Sequence, residues 1–205
     1  MYIETKRLIL RGLVEQDAET LFEIKNDEQI MKYPFFKGDE TVDFIKIMIA
    51  FFQSVESKGL IIDDQDPERG HLFAICLKDS GDVIGVITVH PRELFSEVQM
   101  GWYIKSQYTK NGYASEASAS ASDYLLDALS LDYICACMHI GNIASFRTAQ
   151  KSGFKIIEKR IPYNEHNNNR IIENTSLAVE YFEKNIREID IGSYFYFQKY
   201  RKTIP

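Results

Sequence analysis

Cysteine is scarce in this chain. Cys76, Cys135 and Cys137 are the three present in 205 residues. An odd count, with two of them a single residue apart, fits neither a disulfide framework nor a zinc knuckle. Reduced thiols in a cytoplasmic protein with no bound metal are the expectation. Positive charge is also in short supply: 24 Lys and Arg stand against 30 Asp and Glu, a formal charge of −6. A general nucleic-acid binder needs a basic field to displace counterions, so that class is set aside. Long apolar runs are missing too. The most apolar stretch, residues 44–52, contains Lys46 and falls far short of the ~20 residues that span a bilayer. Met1-Tyr2-Ile3-Glu4-Thr5-Lys6 lacks the cationic-then-apolar order of a secretory signal, so no membrane partner is expected. There is no linker rich in the five prolines or eleven glycines, and no internal repeat. Neither a Walker pattern nor G-x-G-x-x-G occurs, which leaves nucleoside triphosphates and dinucleotides unsupported.

What remains is an ordinary globular balance, with 45% hydrophobic and 26% charged residues. A chain of this length buries roughly 70% of its unfolded surface without staples. Residues 7–11 alternate loosely and predict a first strand. Ala18, Leu21 and Phe22 predict an amphipathic helix after Asp17; Phe44, Ile45, Met48, Ile49 and Phe52 predict a second over 41–57. Residues 61–70 hold an acidic run, Asp63-Asp64-Gln65-Asp66-Pro67-Glu68. It reads as a solvated loop or as an attractant for a cationic acceptor. Strands are predicted over 72–77, 83–89, 98–104 and 133–139, and a long small-residue helix over 112–131. A short helix over 142–152 is closed by Gly153. Strands at 154–160 and 176–181 flank an Asn167-Asn168-Asn169 turn. The order predicts an α/β (α+β) fold with a mixed sheet of about seven strands, in which 98–104 and 133–139 run parallel through a helical crossover. Residues 183–205 form an aromatic tail with Tyr194, Phe195, Tyr196, Phe197 and Tyr200. So large an apolar patch packs on the protein or on a second subunit, which would make a homodimer.

Two joints could carry chemistry. Between the fourth strand and the long helix lie Thr109, Lys110, Asn111, Gly112, Tyr113 and Ala114. A glycine with a small residue two positions on, opening a helix straight after a strand, can aim backbone N–H groups at a phosphate; it can equally be a plain strand-to-helix turn. After the fifth strand, Asn142 is a natural helix cap with Ser145 one turn on.

Together these stretches resemble the GNAT acetyltransferases, in particular the branch with the ribosomal-protein alanine N-acetyltransferases (RimJ/RimL-like). Four segments carry the resemblance: Thr5-Lys6-Arg7-Leu8-Ile9-Leu10-Arg11 with Asp17-Ala18; Asp82-Val83-Ile84-Gly85; Gly101-Trp102-Tyr103-Ile104 through Gly112-Tyr113-Ala114-Ser115-Glu116-Ala117; and Asn142-Ile143-Ala144-Ser145 with Lys151-Ser152-Gly153-Phe154. It covers residues 3–182 and implies one domain over 1–182, with 183–205 an extension that has no counterpart in the pattern. The resemblance implies a single, mostly antiparallel sheet with helices on both faces. It also implies transfer of an acetyl group from acetyl-CoA (coenzyme A) to a primary amine, a peptide N-terminus or a small molecule. Thr109–Ala114 would hold the pyrophosphate and Asn142 the pantetheine arm, and an N–H among Trp102, Tyr103 and Ile104 would face the thioester oxygen. The family loop usually starts with Arg or Gln, where this chain has Thr109, and Lys110 replaces a frequent glycine. The tyrosine acid of many members is Ala149 here, so by resemblance the acid is Ser145. Glu97 and His139, with His90, are the candidate bases; Glu97 also reads as a solvent-facing strand residue. The alternative is a non-catalytic acyl-CoA-binding module on the same fold. A flavodoxin-like domain would need more parallel strand–helix units.

Overall fold

The structure is a computed structural model that describes residues 1–32, 41–57, 59–60, 70–92, 97–139, 141–162, 171–172 and 194–202. The acidic run at 63–68, the turn at 167–169 and the strand expected at 176–181 lie outside these residues.

In chain order the strands are β1 (Tyr2–Glu4), β2 (Leu8–Gly12), β3 (His71–Leu77), β4 (Val83–Arg92), β5 (Glu97–Ile104), β6 (Tyr133–His139), β7 (Lys155–Pro162), β8 (Ile171–Ile172) and β9 (Tyr194–Tyr200). The helices are α1 (Ala18–Lys25), α2 (Glu28–Met31), α3 (Val42–Glu56), α4 (Tyr113–Ala128) and α5 (Ile143–Lys151). Across the sheet the strands run β1-β2-β3-β4-β5-β6-β9-β7-β8. Among the described residues every pairing is antiparallel except β5 with β6. The expected architecture, one mostly antiparallel mixed sheet with helices on both faces, is therefore the observed one.

The sheet buries both faces. On one, Leu8, Leu10, Phe73, Val98, Met100, Trp102 and Ile134 pack with Ala117, Ala121 and Leu125 of α4. The small side chains at 117 and 121 bring the helix axis close to the strands. On the other, Leu72, Ala74, Cys76 and Val86 pack with Leu21 and Ile24 of α1 and Ile45 and Ile49 of α3. This division fixes the orientation of β5 by its period of two. Val98, Met100, Trp102 and Ile104 face α4, while Glu97, Gln99, Gly101 and Tyr103 face the opposite side.

Three details depart from the sequence reading. Strand β1 is added at the edge, where three residues were too few to show alternation. Helix α4 ends at Ala128, not at 131. Ser130 turns left-handed (φ 53°), and Leu131 N–H bonds back to Leu126 O at 3.0 Å while Ser130 N–H bonds to Asp127 O at 3.2 Å. That double bond pattern stops a helix. Within the segment set apart as an extension, Tyr194–Tyr200 is strand β9 and lies inside the sheet between β6 and β7. Tyr196 and Phe197 are fully buried there. Lys199 reaches α4, where its ammonium donates to Ala119 O (3.2 Å) and Ser122 Oγ (2.8 Å) and pairs with Asp123 (2.8 Å).

Candidate active site

Parallel strands β5 and β6 meet at one point only, Gln99 opposite Cys135. Beyond it no further register pair joins them. The direction of the backbone groups in the gap follows from the ladder with β4. Lys105 N–H donates to Ile84 O at 2.9 Å, so odd-numbered residues of β5 turn their N–H and C=O toward β4. The N–H groups of Trp102 and Ile104 therefore point toward β6 into the gap, past the last pairing of the two strands. The Trp102 indole N–H is also buried and without an acceptor among the described residues. Its ring packs on Phe154 with centroids 6.0 Å apart.

Just past the end of β5, the chain turns through residues 106–112 into α4. Gly112 is the cap residue, left-handed at φ 81°, a conformation that strains any residue with a Cβ. Lys110 is left-handed as well, at φ 64°. The loop's own side chains fold back onto it. Thr109 Oγ1 donates to Ser106 O (2.8 Å), and Asn111 Nδ2 donates to Tyr108 O (3.3 Å) and Thr109 O (3.1 Å). Among the described residues no side chain caps α4, so within them the N–H groups of its first turn have no capping partner beside exposed loop residues 109–112. The loop is tethered at its start by Asp27, the cap of α2, which accepts from Ser106 N–H at 2.7 Å and from the Ser106 hydroxyl. Burial works against the Asp27 carboxylate, yet these bonds and those from α2 hold its pKa below the ordinary value.

The β6 side supplies Asn142 and Ser145. Asn142 caps α5, its Oδ1 accepting from Ser145 N–H at 3.1 Å. The Ser145 side chain is half-buried. His139 ends β6, and its Nδ1 accepts from Gly141 N–H at 2.9 Å. Ala149, where a tyrosine acid would stand, is fully buried. Since β5 and β6 are parallel, the gap, the open turn of α4 and the Asn142–Ser145 corner gather at one end of the sheet.

Glu97 lies elsewhere and is not solvent-facing: it is 7% exposed. It starts β5, two residues before the strands meet. It lies five positions before Trp102, about 16 Å along a strand. Its Oε1 accepts from the Tyr133 hydroxyl (3.2 Å) and from the Tyr196 hydroxyl. Burial, then the neighbouring carboxylate, push the Tyr133 phenol up to about 12, and the Tyr196 phenol rises for the same reasons. Both phenols thus stay protonated as donors. Sequence reasoning missed these tyrosines because they come from two other strands, one of them β9.

Among the described residues, no group of His, Cys, Asp and Glu could hold a metal ion, and no helix is long and apolar enough to cross a membrane.

Comparison with known proteins bears on the family and the fold. A family model described as an acetyltransferase (GNAT) domain matches residues 7–155. Among curated proteins, the uncharacterized N-acetyltransferase YoaA of Bacillus subtilis is 29% identical over 154 residues, covering 75% of this chain and 82% of its own. Among solved structures, the ribosomal-protein-S5-alanine acetyltransferase from Vibrio fischeri superposes with a TM-score of 0.71 at 16% identity, over 100% of both chains. The L7/L12 α-N-protein acetyltransferase RimL, solved in complex with coenzyme A, gives 0.70 at 10% identity over 98% of each chain.

Proposed function

Because the chain belongs to the GNAT acetyltransferase family, we propose that it moves an acetyl group from acetyl-CoA to a primary amine, with both substrates bound at once. The observation that carries this reading is the pairing of two sets of open backbone donors. Trp102 and Ile104 offer N–H groups in the β5–β6 gap, and the uncapped first turn of α4 offers more at the end of the same strand. Donors so arranged suit a ligand with a phosphate at one end and an acyl carbonyl at the other. The residues present fit acetyl-CoA on this ground.

In this reading the loop 109–114, with Gly112 at its centre, binds the pyrophosphate, and Asn142 holds the pantetheine arm. Trp102, Tyr103 and Ile104 line the acyl end, where an N–H steadies the charge that develops on the carbonyl oxygen as the amine attacks. Ser145 gives a proton to the departing thiolate.

Removal of the amine proton limits the choice of acceptor. Glu97 and His139 are the carboxylate and imidazole considered for it. Glu97 has Oε1 occupied by two phenols, and His139 has Nδ1 occupied by Gly141 N–H. An acceptor that needs little help fits such a site. Freeing an α-amine near pH 7 costs about 1 kcal/mol, against about 4.6 kcal/mol for a lysine. The reading therefore favours an α-amine, as on a peptide N-terminus, or a similarly weak base on a small molecule, as in the RimJ/RimL-like branch. The protein would act in the cytoplasm.

A second reading, a non-catalytic acyl-CoA-binding module, is favoured by one observation: Ala149 fills the position of the usual tyrosine acid. One experiment separates the two. Acetyl-CoA is titrated calorimetrically, then a panel of peptides and small amines is added and free thiol is followed. Binding with thiol release supports the enzyme; binding without release for any amine supports the module; no binding refutes both.

A further inference from the structure

We infer that Arg7 is a positioning residue of the cofactor site, holding the loop before α4 in the form that presents its N–H groups. The inference rests on the acetyl-CoA reading above. Arg7 lies in the β1–β2 connection, far from the loop in sequence, yet it touches the loop on several sides. Its Nη1 donates to Asn111 O at 2.9 Å, and its Nε donates to Glu116 Oε2 at 2.7 Å. The guanidinium carbon sits 4.5 Å from the centre of the Tyr113 ring. A Cβ at Gly112 would come within 3.5 Å of Nη2. Glu116, in the first turn of α4, completes the clasp, its Oε1 accepting from Arg7 N–H (2.9 Å) and Thr5 Oγ1 (2.6 Å).

The bond to Asn111 O sets the direction of a donor. In a planar trans peptide, the C=O of one residue and the N–H of the next point opposite ways. With the Asn111 carbonyl drawn onto the guanidinium, Gly112 N–H is turned away from Arg7. Glu116 fixes the guanidinium plane through a charge-assisted bond, a geometry that lysine cannot copy. The side chain stays 41% exposed, so its positive charge also reaches the solvent beside a loop in an acidic protein.

The test compares two donors in the full chain. S-acetylpantetheine has the thioester and the arm but no phosphates, so it does not use the loop. Arg7→Ala and Glu116→Gln are expected to raise the calorimetric Kd for CoA, and KM for acetyl-CoA, about tenfold or more. Turnover of S-acetylpantetheine stays as in the wild type, and Arg7→Lys falls between. Losses that are equal with both donors would make the clasp merely structural and overturn the inference, as would unchanged Kd in all three variants. If Arg7→Ala does not fold, Arg7→Lys and Glu116→Gln decide by the same comparison. Wild-type protein that binds no CoA would overturn the acetyltransferase reading and this one with it; variants that match a wild type able to bind would overturn this one alone.

Discussion

Asn142 and Ser145 share one turn of α5 but do separable work. The Asn142 oxygen caps the helix, while under the proposed function the amide nitrogen is the group that would meet a pantetheine arm. Asn142→Ala should lower stability by about 1 kcal/mol through loss of the cap and also weaken CoA binding. Asn142→Asp keeps the accepting oxygen, so it should spare the melting temperature yet still weaken binding. Thermal melts set beside calorimetry check both. Ser145→Ala leaves the cap intact, because the bond uses its backbone N–H. If the hydroxyl is the acid, kcat falls on the order of 100-fold with little change in KM for acetyl-CoA. Unchanged steady-state kinetics would remove Ser145 from the mechanism. Both residues were legible in the sequence, since a cap and the position one turn on are local facts. The Arg7–Glu116 clasp was not, because its partners stand 109 residues apart and no local pattern joins them.

At the scale of elements, the helix ends show how far local chemistry reaches. Gly153 closes α5 as expected, left-handed at φ 88°, with Phe154 N–H bonded to Ala149 O at 3.0 Å. The same motif closes α4 with Ser130 in the left-handed position, and no glycine marked it. Ser130→Gly should therefore stabilise the protein, by about 0.5–1 kcal/mol, measurable in urea unfolding. Strand β9 was harder to read. Its Tyr-Phe-Tyr-Phe run is apolar on both faces, which is a sign of a central strand, but nothing local told where in the sheet it pairs. Phe197 is fully buried between the sheet and α5, edge-on to Phe146 with centroids 5.4 Å apart. Phe197→Ala should cost about 3–5 kcal/mol and will show as a lowered denaturant midpoint. A loss under 1 kcal/mol would mean that β9 is not packed as described.

For the molecule as a whole, acid is the informative perturbant. Partial burial pushes the Glu116 carboxyl up, but the bonds from Thr5 and Arg7 outweigh it and leave its pKa below the ordinary value; Asp27 is lowered likewise. A depressed folded-state pKa means that the stabilisation is complete above the ordinary carboxylate value of ~4.3. It is lost as pH falls from there through the folded value, because the unfolded chain then takes up more protons. Glu116→Gln should flatten the stability curve below about pH 4.5 and leave its slope near pH 7 unchanged. The order of elements, the mixed sheet and the two joints at its open end were legible because each follows from short-range periodicity and turn chemistry. The ending of the β5–β6 pairing after one residue pair, and the burial of Glu97 under two phenols, arise only when distant strands assemble.

The place of β9 also bears on how the chain is made. Its neighbours β6 and β7 are both synthesised before it, so the slot between them stands empty while residues 163–200 are added. At ribosomal speeds that interval lasts about 2–8 s. Until β9 is in place, the β6 edge that pairs with it lacks those main-chain partners, and an edge of that kind recruits stray strands. A nascent chain stalled in that window is a candidate client for chaperones that shield such edges.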